Sequence, residues 1–348
     1  MKKIRVAING AGRIGRAFYK VASERKEIEI VAMNDLADID NIAYLLKYDT
    51  AYGVSPFVVE VKTDRKALII DGKEVAYLSE KDPATLPWKE LDIDVVVEST
   101  GFYASYAGSQ AHIDAGAKRV VITAPVKDEP QKNADGEIRG ATVLMGINDD
   151  RLATCDISSN ASCTTNAGSP VMAILHEKIG IEKALLNTVH AYTASQSIVD
   201  GPAKKDFREG RAAAQNIVPS STGAAIAVTK VLPELAGKFD GISIRVPVVV
   251  GSIVDITFIA KRDTTVEEVN KILKEASAEP RWKSVFSVTE EKLVSSDIKG
   301  NSHASIADLS FTRVVGGNLV KVLAWYDNEM GYTYTLVEHV IKSGSNLK

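Results

Sequence analysis

One cysteine set among small polar residues is where this sequence first concentrates chemistry. Ile157-Ser158-Ser159-Asn160-Ala161-Ser162-Cys163-Thr164-Thr165-Asn166 places Cys163 immediately before a predicted helix. A thiol at a helix N-terminus meets unpaired N–H groups and a positive dipole end, both of which favour the thiolate. The same N–H groups would stabilise an oxyanion on a carbonyl under attack. The alternative is a buried structural cysteine, and Cys155, with nothing reactive around it, fits that description. A nucleophilic thiol needs a proton acceptor. His112, His176, His303 and His339 lie in helical or loop patterns and read as surface or packing residues. His190 ends the apolar run Leu185–Val189, and a strand end at a cleft is where a catalytic imidazole would be held rigidly, but spacing alone does not tie it to Cys163.

A second concentration lies at the start of the chain. Gly10-Ala11-Gly12-Arg13-Ile14-Gly15 reads G-x-G-x-x-G between a predicted strand and a predicted helix. Gly10 permits the tight turn, Gly12 lets a pyrophosphate approach the backbone, and Gly15 allows close helix–strand packing. The helix N-terminus then offers its N–H groups to phosphate. Asn34-Asp35 follows at the end of the next strand, twenty residues past Gly15. An acid there accepts ribose hydroxyls and repels a 2′-phosphate, which points to NAD, with NADP a weaker second choice. The plainer reading is that the pair ends a strand and caps a helix.

Elements must hold these groups. Ile4–Ile8, Ile28–Met33, Asp94–Glu98 and Arg119–Thr123 read as buried strands, alternating with helices over Ile14–Ser23 and Ala37–Tyr48. Apolar runs without alternation suit strands covered on both faces, so the first part is predicted to be a doubly wound α/β unit. Phe57–Leu78, with a turn at Asp71-Gly72-Lys73, reads as an antiparallel insertion. Beyond about residue 160, strands at Leu185–Tyr192, Ile242–Val246, Ile253–Lys261 and Leu319–Trp325 outnumber helices. The helices there are predicted at Ala167–Lys178, Ser221–Leu235, Val266–Ala276 and Glu329–Lys342, giving an α+β domain on a mostly antiparallel sheet. Asp200–Val218 is a long polar loop of the kind that is usually functional or packed at an interface.

Composition excludes several classes. The chain has 348 residues, 45% of them hydrophobic and 25% charged, which suits about two globular domains rather than disorder. A net charge of −3, with only short basic clusters such as Lys2-Lys3 and Lys204-Lys205, argues against strong nucleic-acid binding. The two cysteines, Cys155 and Cys163, are too few for a disulfide scaffold and lack zinc-site spacing, so no metal is expected. The N-terminal run is too short in apolar residues for a signal peptide, and the most apolar stretch, Val246–Ala260, is interrupted by polar residues. A soluble, cytoplasmic protein is the expectation.

Further motifs complete the pattern: Asn9-Gly10, Glu98-Ser99-Thr100-Gly101, His190-Ala191-Tyr192-Thr193, Ser221-Thr222-Gly223-Ala224-Ala225, Arg245-Val246-Pro247 and Trp325-Tyr326-Asp327-Asn328-Glu329. With the glycine and cysteine segments, these resemble the phosphorylating glyceraldehyde-3-phosphate dehydrogenase family from end to end. The resemblance implies a Rossmann-type dinucleotide domain over residues 1–162, joined by a C-terminal helix at 329–348, and a catalytic domain over 163–328. It implies that Cys163 is the nucleophile and His190 its base. It also implies that Thr193 and Arg245 hold the substrate's C3 phosphate, and that Ser162, Thr164, Thr222 and Gly223 hold the attacking inorganic phosphate. Gly10, Gly12, Arg13, Ile14, Gly15 and Asp35 match cofactor contacts, Thr123 and Asn328 match positions near the nicotinamide, and Lys81 stands where relatives often have arginine. A homotetramer is implied, with Asp200–Val218 near a neighbouring subunit's cofactor. Ala167, Glu209, Val248, Gly251 and Met330 depart from the common pattern without removing a catalytic group. Erythrose-4-phosphate dehydrogenase is the sister reading, and a nucleotide-sensing or RNA-binding protein on the same fold is the non-enzymatic one.

Overall fold

A computed structural model of the chain describes residues 2–132, 136–137, 139–203 and 206–347; Lys204 and Lys205 lie outside the described residues. The chain divides into two compact units, one comprising the residues up to Ala161 together with those from Leu336 on, the other Ser162–Thr335.

In the first unit, β1 (Ile4–Asn9), α1 (Arg13–Ala22) and β2 (Ile28–Asn34) form the opening strand–helix–strand, followed by α2 (Ile39–Lys47). A small ribbon, β3 (Tyr48–Asp49) and β4 (Gly53–Val54), precedes β5 (Val59–Val61), β6 (Ala67–Ile70) and β7 (Lys73–Leu78). Then come β8 (Val95–Glu98), α3 (Tyr106–Asp114), β9 (Arg119–Ile122), β10 (Gly140–Thr142) and β11 (Ile157–Ser159). The sheet order is β10-β11-β9-β8-β1-β2-β7-β6-β5, parallel from β10 through β7. The insertion is antiparallel, and its turn uses Asp71 and Gly72 at φ +49° and +76°, the left-handed pair that a two-residue hairpin turn requires. From β1 the chain passes to β2 on one side and later to β8 on the other. That is the switch point at which doubly wound sheets open a crevice beyond their carboxyl ends. Trp88, Val96, Val120 and Ile122 are fully buried in the core beneath it, each large apolar side chain contributing about 1.5–3 kcal/mol.

The second unit begins with α4 (Cys163–Ile179) and β12 (Ile181–Ala191), then β13 (Val218–Ser221), α5 (Ala224–Val231) and β14 (Phe239–Val246). It continues through β15 (Ser252–Ala260), α6 (Val266–Ser277), β16 (Phe286–Thr289), β17 (Ser305–Val315) and β18 (Leu319–Tyr326) to α7 (Met330–Ser345). Its seven strands run β13-β14-β12-β15-β18-β17-β16, antiparallel except for β12–β14 and β16–β17. Strand β15 shows why: Val254, Ile256, Phe258 and Ala260 are buried on one face, while the residues between them are less so. On β12 the buried Leu186 likewise leaves its neighbour Leu185 on the other face, exposed.

Two expectations need correction. The helix expected at Ser221–Leu235 is shorter, because Ser221 ends β13 and Pro233 starts a separate 3-10 turn. The described part of Asp200–Val218 is a loop, as expected, with one short 3-10 turn at Phe207–Gly210. Helix α4 begins at Cys163 itself rather than four residues later.

Candidate active site

At the carboxyl ends of β1, β2 and β8, a cleft of about 520 Å³ is lined by Gly10, Gly12, Asp35, Lys81, Thr100 and Phe102, among others. The three glycines do different things there. Gly10 has φ +99°, and a Cβ on it would lie 2.7 Å from the Thr100 nitrogen. A Cβ on Gly15 would fall 1.9 Å from the Gly10 carbonyl oxygen, so α1 packs too closely for any other residue. A Cβ on Gly12 would meet nothing within 4 Å, which leaves open space where a phosphate would approach. The N-cap of α1 is Gly12, which has no side chain to cap it, so the helix N-terminus lies open to an anion. Arg13 turns its guanidinium aside, 2.9 Å from Asp49 and over the Tyr52 ring. Against the pull of burial, Arg13 and the N–H groups of Ala51 and Tyr52 hold the Asp49 carboxyl below its ordinary range.

Asp35 does not cap α2; Asp38 does. Its two oxygens instead accept from Ala11 N (2.7 Å) and Ala37 N (2.9 Å), fixing the carboxylate between the glycine turn and the end of β2. Phe102 and Leu36 stand exposed at the cleft, two apolar flanks that suit a planar base. Phe102 went unread in the sequence; its position directly after Gly101 was the available signal. The Lys81 carbonyl accepts from the Tyr103 hydroxyl (2.8 Å), leaving the lysine side chain exposed. Thr123 follows β9, its N–H bonded to the Glu98 carbonyl (3.0 Å). These residues fit a dinucleotide: Gly12 and the α1 N-terminus for its pyrophosphate, Asp35 for a ribose.

In the second unit the segment around Cys163 builds its own turn. Ala161, just before it, adopts φ +54°, a left-handed conformation that costs a residue with a Cβ about 1–2 kcal/mol. Ser162 then caps α4, its Oγ accepting from Thr165 N (3.1 Å). Cys163 is thereby the first helical residue, with Sγ 3.4 Å from His190 Nε2. Arg245 arrives by register: β12 and β14 run parallel with His190 opposite Arg245, which sets Nη1 2.6 Å from His190 Nδ1.

Nδ1 also lies 2.6 Å from the Ala191 carbonyl. That oxygen requires Nδ1–H, the tautomer that aims the Nε2 lone pair at the thiol; Arg245 can bond Nδ1 only in the opposite tautomer. Burial first, then Arg245, pushes His190 down to about 3, so the imidazole is neutral. Burial pushes the Cys163 thiol up, while Arg245, the Thr164 hydroxyl and the main-chain N–H groups of the first turn draw it down. Cys155 is buried and its thiol pushed up to about 11, as suits an inert structural residue.

Other expected residues fall into two groups. The Thr164 hydroxyl points inward to Tyr326 Oη (2.9 Å), which also meets Thr188 Oγ1 (2.8 Å); burial pushes the Tyr326 phenol up. Ser162 is engaged as the α4 cap, so both hydroxyls have protein partners. Thr222 and Gly223 sit at the start of α5, where the Thr222 hydroxyl accepts from Ala224 N (3.2 Å) and a Cβ on the N-cap Gly223 would meet open space. The Thr193 hydroxyl lies 3.0 Å from Ser195 Oγ. Asn328 is buried, its Oδ1 accepting from Gly251 N and Ser252 Oγ (both 3.1 Å), which turns its NH2 the other way. Gly251 is required where it stands, since it has φ +92° and a Cβ would lie 2.4 Å from the Ser295 carbonyl. Glu209 accepts from Ser220, while Arg208 and Arg211 pair with Asp206 and Asp200. Tyr326 and the Arg245–His190 contact were not legible as site features in the sequence. Among the described residues no His, Cys, Asp and Glu group could hold a metal ion.

A dinucleotide cleft at a sheet switch point in one unit and a cysteine–histidine pair at a helix N-terminus in the other are what a dehydrogenase working through a covalent cysteine adduct would need. Comparison with known proteins carries this to a family. Residues 4–106 match the glyceraldehyde 3-phosphate dehydrogenase NAD binding domain, and residues 162–328 match the C-terminal domain. Glyceraldehyde-3-phosphate dehydrogenase of Borreliella burgdorferi is 48% identical over 342 residues, covering 96% of this chain and 98% of that protein. Glyceraldehyde-3-phosphate dehydrogenase 3 of Kluyveromyces marxianus is 48% identical over 338 residues (97% and 98%). That of Streptomyces coelicolor is 46% identical over 347 residues (99% of each). The chain belongs to the glyceraldehyde 3-phosphate dehydrogenase family, and its first unit carries the NAD-binding domain.

Proposed function

We infer that this chain oxidises glyceraldehyde 3-phosphate with NAD+ and inorganic phosphate to 1,3-bisphosphoglycerate, reversibly. The observation that carries the reading is the 3.4 Å approach of Cys163 Sγ to His190 Nε2 at the start of α4. Sulfur attacks the aldehyde carbon, and its proton passes through His190 Nε2 to the carbonyl oxygen, giving a hemithioacetal. NAD+, when bound, supplies the hydride acceptor. His190 takes the hemithioacetal hydroxyl proton as the carbon is oxidised, leaving a thioester on Cys163. A phosphate oxygen then attacks the thioester carbon, the C–S bond breaks, and the acyl phosphate departs.

Arg245 and Thr193 are proposed to hold the substrate's own phosphate. A guanidinium beside the base suits an oxyanion held close to the reacting carbon. Thr222 and Gly223, at the N-terminus of α5, where the Thr222 hydroxyl accepts from Ala224 N (3.2 Å), are proposed for the attacking phosphate. Ser162 and Thr164 would join them only by turning from their present partners. Gly10, Gly12, Arg13, Ile14, Gly15, Asp35 and Lys81 are proposed to hold the adenine half and pyrophosphate of NAD, with Thr123 and the Asn328 NH2 group toward the carboxamide. Asp35 favours NAD over NADP by like-charge repulsion of a 2′-phosphate.

A homotetramer is proposed, supported by the second sheet's outer face, where Leu185, Ile242, Val315 and Leu319 are exposed apolar residues. No helix of the described residues is long and apolar enough to cross a membrane; a cytoplasmic setting is proposed with the tetramer.

The test is absorbance of reduced nicotinamide with purified protein, aldehyde, phosphate and NAD+ or NADP+, beside a phosphate-free row, erythrose 4-phosphate and Cys163→Ser. Phosphate-dependent NAD+ reduction with the three-carbon aldehyde, lost in the variant, is expected. Faster turnover of erythrose 4-phosphate would move the assignment to the sister enzyme. Inactivity of folded, NAD+-binding protein would defeat the catalytic reading.

A further inference from the structure

We infer that Glu98 is a positioning residue for the cofactor, a buried acceptor that clamps together the three segments forming the NAD cleft. The inference rests on the first unit being the NAD-binding domain. Glu98 ends β8 and is 1% exposed. Its Oε2 accepts from Asn9 Nδ2 (2.5 Å) and from His112 Nε2 (3.1 Å). Its Oε1 accepts from the Thr100 N–H (2.9 Å) and the Thr100 hydroxyl (2.5 Å). Neither Glu98 nor His112 belongs to the catalytic machinery described above, and both are too deeply buried to touch a ligand.

The direction of every link is set by groups that cannot reverse. The Trp88 indole N–H donates to His112 Nδ1 (3.0 Å), so the ring proton sits on Nε2 and is aimed at Glu98. At the other end, the Glu80 main chain grips Asn34 twice: its N–H donates to Asn34 Oδ1 (2.8 Å) and its carbonyl accepts from Asn34 Nδ2 (2.9 Å). That fixes the Asn34 amide, whose Nδ2 also donates to Asn9 Oδ1 (2.7 Å) and so turns the Asn9 NH2 toward Glu98. The Thr100 N–H is backbone and equally fixed. Three irreversible donors therefore converge from different directions, and only a side chain with acceptors alone satisfies them.

The segments joined are those around the cleft. Asn9 leads into the Gly10 turn, Thr100 leads into Phe102, and Asn34 ties the end of β2 to Glu80 and Lys81. An amide in place of the carboxylate is nearly the same shape but must turn its NH2 toward at least one fixed donor. The unmade bond loosens one of the cleft's three edges. The network also supplies its own rescue. His112 Nε2 lies 3.4 Å from Asn9 Nδ2, both donors and so not bonded. A carboxylate at position 9 would accept from His112, from Asn34 and from an amide at position 98.

The experiment compares wild type, Glu98→Gln and the swap Asn9→Asp/Glu98→Gln by NAD+ titration, steady-state kinetics and melting temperature. In Glu98→Gln the Kd and KM for NAD+ should rise at least tenfold while kcat falls less than threefold and the aldehyde KM changes less than twofold. In the swap, NAD+ affinity should return to within threefold of wild type. An NAD+ affinity unmoved by Glu98→Gln, or a swap as weak as the single variant, would overturn the inference. If Glu98→Gln does not fold, the swap decides alone: a folded swap with near-normal NAD+ affinity supports the network, and one that fails to fold or bind refutes it. Wild type that does not bind NAD+ would instead mark failure of the cofactor reading beneath it.

Discussion

Two polar clusters, one in each unit, handle protons in opposite ways. Around Glu98 every hydrogen bond has one possible direction, because indole, backbone amide and backbone carbonyl set the ends of the chain. Around His190 one nitrogen faces two partners that demand opposite tautomers, the Ala191 carbonyl and Arg245. The first arrangement suits a surface that must keep one shape. The second suits a group that has to take up and release a proton within each turnover. Both are deeply buried, so burial does not by itself separate a structural from a reactive ionisable group; freedom of proton placement does.

The largest break in this comparison comes from removing the ambiguous nitrogen. His190→Gln should lower kcat by about 10²–10⁴-fold, with NAD+ affinity unchanged by titration; a drop of less than tenfold would deny His190 the role of base. Arg245→Leu should raise the aldehyde phosphate's KM by about tenfold or more, the loss of a charge-assisted contact. It should also shift the acid limb of the kcat/KM profile. Arg245 lowers the His190 pKa, and the base works in its neutral form, so removing the guanidinium raises that pKa and moves the limb to higher pH. A limb that stays put or moves down would show that Arg245 does not act on the imidazole.

A smaller effect concerns stability. His339, buried beside Ser158 and Asn160, is pushed by burial down to about 3 from an ordinary 6.5. The unfolded chain therefore binds a proton that the folded chain refuses between those values. The His339 contribution is whole above pH 6.5 and lost as pH falls toward 3. Between pH 6.5 and 5 wild type should lose about 2 kcal/mol more than His339→Gln, measured by denaturant titration at each pH; equal losses would mean that His339 is not held neutral. Smallest is Cys155→Ala, expected to leave kcat/KM within twofold and to cost stability only, in contrast to Cys163→Ser.

What could be read from the sequence was whatever is local. The glycine turn, the Asp71-Gly72 hairpin and the cysteine beside a helix start each depend on a few adjacent residues. Groups brought together by sheet order were out of reach. His190 meets Arg245 through a parallel register between β12 and β14, and Asn9, Asn34 and Glu98 meet because β2, β1 and β8 lie side by side, with His112 reaching them from α3. His112 and His339 were read merely as surface or packing residues because helical patterns do not show polar partners. Strands β10 and β11, three residues each, carry too little periodicity to stand out. The helix start at Cys163 was visible in the sequence; the burial that pushes its thiol up was not.

The helix that closes the first unit has a consequence for how the chain is made. Beyond Leu336 it supplies His339 to Ser158 and Asn160, Glu338 to Arg25 and Lys342 to Asp149, while Gly344 lies against Ile4. Translation delivers β1 before residues 162–335 and this helix only after them. On the ribosome, the second unit therefore has its full set of strands before the first has its last layer. The cofactor-binding unit begins first and is completed second, and a stalled nascent chain lacking residues past 336 would expose Ile4, Ser158 and Asn160 to water.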